Sequence, residues 1–230
     1  MREIVLDTET TGLKPADGHR VVELGCVELL NRIPTGATFH TYLNPDRDMP
    51  AEAFAVHGLS IDFLKDKPRF AEVADDFLAF VADAPIVAHN AGFDHGFLCY
   101  ELKLVARPEI PYDRIVDTLM LARRKHAAGP YSLDALCARY GIDSSRRTKH
   151  GALLDAEILA EVYLELIGGR QATLGLADAI ELPAHAGDGA IIVRTRPEPL
   201  TPRVSDAERE AHRAFIATLG ENAIWRGYRE

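Results

Sequence analysis

Apolar and polar positions along this chain change their period several times, and each change marks an element. REIVLDTE (2–9) carries the continuous apolar run Ile4-Val5-Leu6 and closes on two acids, Asp7 and Glu9. RVVELGCVELL (20–30) and ATFHTYLN (37–44) are likewise alternating or apolar, and the three stretches predict strands of one meander. Helical spacing then takes over. PAEAFAVHGLS (50–60) predicts a short helix with Pro50 near its start. RFAEVADDFLAFVADA (69–84) sets Phe70, Val73, Phe77 and Phe80 or Val81 on one helical face. PIVAHN (85–90) predicts a short strand, and GFDHGFLCYELKLVA (92–106) a helix beginning close to Asp94. SLDALCARYGI (132–142) is helical with Gly141 as its stop, and HGALLDAEILAEVYLELIGG (150–169) is the clearest helix, closed by Gly168 and Gly169. Strands first, then helices mixed with a further strand, predict an α/β layer fold: a mixed sheet flanked by helices.

The character changes after Gly169. Residues 177–203 carry Pro183, Pro197, Pro199 and Pro202 with Gly187 and Gly189, the composition of a linker, although AIIV (190–193) has the pattern of a short strand or docking site. Order resumes at Ser205, where SDAE is a capping box with Ser205 as N-cap and Glu208 at N3. That helix runs to about Leu219, with Gly220 ending it, and the only tryptophan, Trp225, follows.

Asp7 and Glu9 pose a chemical question. Two residues apart on a strand, they project to the same side. Like charges at that distance repel unless a cation lies between them, and Thr8, Thr10 and Thr11 supply none. Taken alone, the pair is also what a strand leaving the core carries. Asp94 sits in the first turn of a helix, where an acid also serves simply to stabilise the N-terminus. His150 and Asp155 are five residues apart, about 500° around an ideal helix, so they converge only if His150 sits at the frayed start and Asp155 one turn inside. Asp155 lies beside Leu154 and Ile158 at core spacing, and a carboxylate there is costly unless paired or metal-bound.

Composition narrows the classes. A chain of 230 residues is one ordinary domain plus an extra segment, and 47% hydrophobic with 27% charged residues allows a real core. The net charge of −9 argues against a protein that grips long nucleic acid over its whole surface, but not against one that touches a strand end. An acidic site turns locally positive once metal is bound. The basic runs ARRK (122–125) and RRTKH (146–150) read as contacts to backbone phosphates or as solvated charged faces. No apolar run spans a membrane and no secretion signal opens the chain. Cys26, Cys99 and Cys137, odd in number and without zinc-ligand spacing, read as buried free thiols, so the expected location is cytoplasmic.

The order DTETTG (7–12), HNAGFD (89–94) and HGALLDA (150–156) resembles the DEDDh (DnaQ-like) 3′–5′ exonucleases. VHGLS (56–60) and DTLMLARR (117–124) extend the likeness over residues 1–170, and within that family it is most similar to the epsilon (proofreading) subunits of bacterial DNA polymerase III. The resemblance implies a ribonuclease-H-like fold and two divalent ions, Mg²⁺ or Mn²⁺. Asp7 would bridge both ions, Glu9 and Asp155 would hold the one that activates water, and Asp94 would support the second. His150 would be the general base, a role that suits an imidazole titrating near neutrality. The implied substrate is a single-stranded or mispaired DNA 3′ end, released as nucleoside 5′-monophosphates. Thr10, Thr11 and Gly12 would present backbone N–H groups to the terminal nucleotide, His57 would contact it, and His89 and Asn90 would shape the site. QATLGL (171–176) resembles a motif for the sliding clamp (beta), anchored by Gln171, Leu174 and Leu176, though it lacks the aromatic and carries Gly175. Residues 204–230 resemble a tail that docks on the polymerase catalytic (alpha) subunit, with Trp225 as anchor. Two other readings compete. One is a stand-alone DEDDh exonuclease on DNA or small RNA, which would not need the extension; the other is a non-catalytic scaffold between clamp and polymerase, which would not need the full acid set.

Overall fold

The computed structural model describes residues 1–147, 149–168 and 204–219. The expected clamp motif (171–176), the linker (177–203) and Trp225 lie outside the described residues. The first compact unit holds the described residues up to 168, and the helix after Ser205 belongs to the second.

Strand β1 (Arg2–Thr10) runs antiparallel to β2 (Val21–Leu30), which pairs with β3 (Ile33–Tyr42). On its other side β1 pairs in parallel with β4 (Ile86–Ala88), and β4 with β5 (Ile115–Asp117). The sheet order is β3-β2-β1-β4-β5, the mixed sheet expected, with β1 at its centre. A central strand feels both layers, and its residues divide accordingly. Ile4 and Leu6 pack with Phe70 and Phe77 of α3 (Phe70–Val81) and Phe97 and Leu102 of α4 (Gly92–Leu104). Val5 packs on the opposite face with Leu136 of α6 (Leu133–Tyr140) and Ile158, Leu159 and Val162 of α7 (Ala152–Leu166). Each such side chain, fully buried, stabilises the fold by about 1.5–3 kcal/mol. Odd positions of β1 therefore face α7, and Glu3 confirms it by accepting the Tyr163 hydroxyl at 2.6 Å.

Three departures from the sequence reading follow from length. β1 continues through Asp7 and Glu9 to Thr10, so the acids lie within the strand and not at its exit. β5 has three residues, too few for a periodic signal, and is held by its register with β4 (Ile86↔Ile115). The helices α2 (Ile61–Leu64) and α5 (Thr118–Lys125) carry no clear apolar stripe; α5 is started by Asp117, whose carboxylate accepts the Leu119 and Met120 N–H groups. The helix α1 (Ala51–His57) does begin after Pro50. All three cysteines are free, Cys26 and Cys137 buried and Cys99 only half-buried. In the second unit the capping box forms as expected: Ser205 Oγ accepts the Glu208 N–H and the Glu208 carboxylate accepts the Ser205 N–H, starting α8 (Asp206–Thr218).

Gly25 positions the site. It stands opposite Asp7 in the β1–β2 register, and a Cβ there would lie 2.2 Å from the Leu153 nitrogen and 2.3 Å from the Ala152 carbonyl carbon. The first turn of α7 thus rests directly on β2 where a side chain is missing. Gly25→Ala is expected to push α7, and Asp155 with it, off the sheet. Thermal melting should show a loss of at least 1–3 kcal/mol, the usual cost of overpacking, and turnover should fall with it.

Candidate active site

The site grows from the end of β1. Asp7 and Glu9 project from its α7 side, while Thr8, between them, turns the other way and donates its hydroxyl to Asp94 Oδ1 at 2.6 Å. Asp94 is delivered by the first turn of α4, directly after the β4 segment. Asp155 comes from the first turn of α7, and His150 from just outside it, since the helix starts at Ala152 behind Gly151. Free of helical geometry, the imidazole swings back until Nδ1 lies 3.2 Å from Asp155 Oδ2. The four acids and the histidine expected from three distant segments are thus brought together.

Electrostatics shows the strain of that arrangement. Burial, then the charges of Asp94, Glu9 and Asp155, push the Asp7 carboxyl well above the usual carboxylate range, with Arg147 opposing. Burial and the charges of Asp155, Glu23 and Asp94 raise Glu9 to about 8. Burial raises Asp94 to about 7 against the hydrogen bond from Thr8. Glu9, His150 and Asp155 each offer a ligand atom, and these atoms lie within 4.8 Å of one another. Crowded carboxylate oxygens with one imidazole nitrogen suit a hard divalent cation, so the residues fit the metal that the resemblance implies. A cleft of about 250 Å³ opens on Asp7 and Asp155, walled by His89, Asp134, Arg147 and His150.

The remaining residues divide. His57 is buried; its Nδ1 accepts the Leu59 N–H at 3.0 Å, so the proton is on Nε2, which makes no well-formed hydrogen bond though the Thr10 backbone lies near. His89 bonds Thr118 through Nδ1 at 2.9 Å and lines the cleft. Thr10 spends its hydroxyl on the Gly12 carbonyl. Thr11 is a correction: its backbone N–H donates to the Arg20 carbonyl at 2.9 Å and its Oγ1 accepts the Arg20 N–H, so it shapes the turn and presents no N–H outward. Arg147 is another. It stands on no solvated face, for its side chain is 9% exposed and its guanidinium grips Asp155. Glu23, pairing with Glu9 in register and held by His40 Nε2 at 2.7 Å, is a further buried acid beside the set. Its signal was present in the meander, where the strand opposite Glu9 also carries an acid.

This fold and this acid cluster define a nuclease, and the family model described as Exonuclease matches residues 4–163. The DNA polymerase III subunit epsilon of Escherichia coli (strain K12) is 46% identical over 238 residues, covering 98% of this chain and 97% of that protein. Its namesake from Rickettsia felis is 44% identical over 226 residues, covering 97% and 99%. Among solved structures, Exonuclease X in complex with 5′ overhanging duplex DNA is 26% identical, with a TM-score of 0.56 over 73% of this chain and 92% of that one. The chain belongs to the exonuclease family and, within it, to the DNA polymerase III epsilon subunits. It is a proofreading 3′–5′ exonuclease, of a type that uses divalent metal ions. Among the described residues no helix is long and apolar enough to cross a membrane.

Proposed function

We propose that Asp7, Glu9, Asp94 and Asp155 hold two Mg²⁺ or Mn²⁺ ions and that His150 is the general base for hydrolysis of the terminal phosphodiester of a single-stranded or mispaired DNA 3′ end. The observation that carries this reading is the clustering of four acids with one histidine, with Asp7 and Glu9 shifted upward by burial and by the charges of the other acids, and Asp94 by burial. When bound, such ions neutralise phosphate charge and lower the pKa of water. The chain's own part is to place the proton acceptor and the strand end. His150 takes the proton of the attacking water; the new O–P bond forms as the P–O3′ bond breaks, the O3′ takes a proton from solvent to become the new 3′-hydroxyl of the shortened strand, and a nucleoside 5′-monophosphate leaves. The Nε2–H of His57, which makes no well-formed hydrogen bond though the Thr10 backbone lies near, is a donor for the terminal nucleotide, beside Thr10 and Gly12. Incubating the chain with a mispaired primer tests the reading: EDTA should abolish release of mononucleotides and Mg²⁺ or Mn²⁺ should restore it. Full activity in EDTA would sink it.

The same reading divides the chain into an exonuclease domain (1–170), a clamp-binding motif (171–176), a linker (177–203) and a polymerase-binding tail (204–230). The relatives' name as DNA polymerase III subunits supports partnership with the polymerase catalytic subunit through Trp225 and with the sliding clamp through Gln171, Leu174 and Leu176. A linker of this kind raises the local concentration of the nuclease at the primer, to about the millimolar range. A chain ending at Gly169 should digest free single strands as the full chain does, yet fail to co-elute with the catalytic subunit in size-exclusion chromatography. Co-elution of the shortened chain would place the dock elsewhere.

A further inference from the structure

Arg147 is the cation closest to the acid cluster's function, and its contacts are specific. Nε donates to Asp155 Oδ1 at 2.5 Å and Nη2 to Asp155 Oδ2 at 2.7 Å, so one fork takes both carboxylate oxygens. The same Nη2 lies 2.6 Å from His150 Nδ1. A guanidinium only donates, so Nδ1 is the acceptor, the imidazole proton is on Nε2, and the 3.2 Å approach of Nδ1 to Asp155 is not a hydrogen bond. Nη1 is anchored on the outer side by Asp134, an exposed carboxylate at the start of α6.

We propose that Arg147 is an internal latch: in the metal-free chain its fork closes Asp155 and occupies the His150 lone pair, and the first divalent ion must displace it, so that metal loading and release of the base are one event. The inference rests on the reading that Asp155 is a metal ligand. A cation coordinated at Asp155 needs an oxygen the fork already holds and would face its positive charge, so the two occupants exclude each other. A closed state that must open before the ligand binds lowers apparent affinity by the fraction of time it is open. The backbone tie of His150 to α1 is long, Val56 accepting its N–H at 3.4 Å, so the imidazole leans chiefly on the fork.

Calorimetric titration of the full chain with Mn²⁺, and melting in EDTA, test this. Arg147→Gln should bind Mn²⁺ about tenfold or more tightly and melt lower than wild type in EDTA. Arg147→Lys keeps the charge and loses the fork, so a latch predicts tighter Mn²⁺ binding there too. Asp134→Asn, which removes only the outer anchor, should shift affinity the same way by less. Unchanged or weaker binding in both Arg147 variants overturns the latch. Tightening in Arg147→Gln alone overturns it as well, because simple charge repulsion then explains the change. If wild type binds no Mn²⁺, the metal reading itself fails; if wild type binds and the variants match it, only the latch does. Should Arg147→Gln not fold, the Lys and Asp134 variants decide.

Discussion

Asp7→Asn and Glu9→Gln are expected to lose turnover by about 10³-fold or more, since removing a single charge-stabilising group from an active site already costs on the order of 10²–10³. They are expected to gain stability in the absence of metal. Glu9 is buried and Asp7 half-buried at the cleft, both lie beside like charges, and their carboxyls are raised. The folded chain therefore keeps protons that the unfolded chain gives up above the ordinary carboxylate range. Stability falls as pH rises wherever the native state binds more protons. For Glu9 the window runs from the ordinary value of 4.5 to about 8; for Asp94 it runs from 3.8 to about 7. Below its window each of these two acids is neutral in both states and costs nothing by this route; above it the full penalty applies. In EDTA, Glu9→Gln should thus melt above wild type at pH 8, and the two should converge near pH 5. Mn²⁺ should raise the wild-type melting temperature at pH 8 and leave the variants nearly unmoved. A Glu9→Gln chain that melts below wild type at pH 8 in EDTA would show that the acid is held by favourable contacts and does not strain the site.

His150→Ala is expected to cut turnover by about 10²–10⁴-fold, the usual contribution of a positioned proton acceptor. The acids remain, so Mn²⁺ binding should be retained. An amide cannot take a proton at neutral pH, so His150→Gln should not rescue the rate. The wild-type pH–rate profile should carry an acidic limb that the variants lack. Wild-type turnover with the same limb in His150→Ala would assign the proton to another group.

What could be read from the linear chain, and what could not, follows from the range of the interactions. Period 2 and period 3.6 patterns over nine or more residues report one buried face each. β1, β2, α3, α4 and α7 were legible for that reason. β5, with three residues, and α5, whose apolar face is broken by Ala-Arg-Arg-Lys, owe their form to neighbours: β5 to the parallel ladder on β4, α5 to its Asp117 cap and the packing of Ala122. The acids and the histidine that the fold brings together were also legible as candidates, because Asp7, Glu9, Asp94, His150 and Asp155 sit at spacings local to their own segments. Their convergence needed the parallel register that sets β4 beside β1. It also needed Gly25, whose missing side chain lets α7 descend onto β2 opposite Asp7.

Charge was the property that the linear chain determined least. In the sequence Arg147 belongs to a basic run that reads as solvent-facing or phosphate-binding; in the fold it is nearly enclosed and forked onto Asp155. Thr11 lies in the motif, yet its N–H is spent on Arg20. The sequence by itself determined the identity and order of the acids and the histidine, and the period of the elements that carry them, because both are encoded within a few residues. Only the tertiary structure decided which cation meets which carboxylate and which backbone N–H groups stay free. A charge or a polar hydrogen takes the partner nearest in space, and burial, which sets how strongly the two interact, exists only once distant segments have packed.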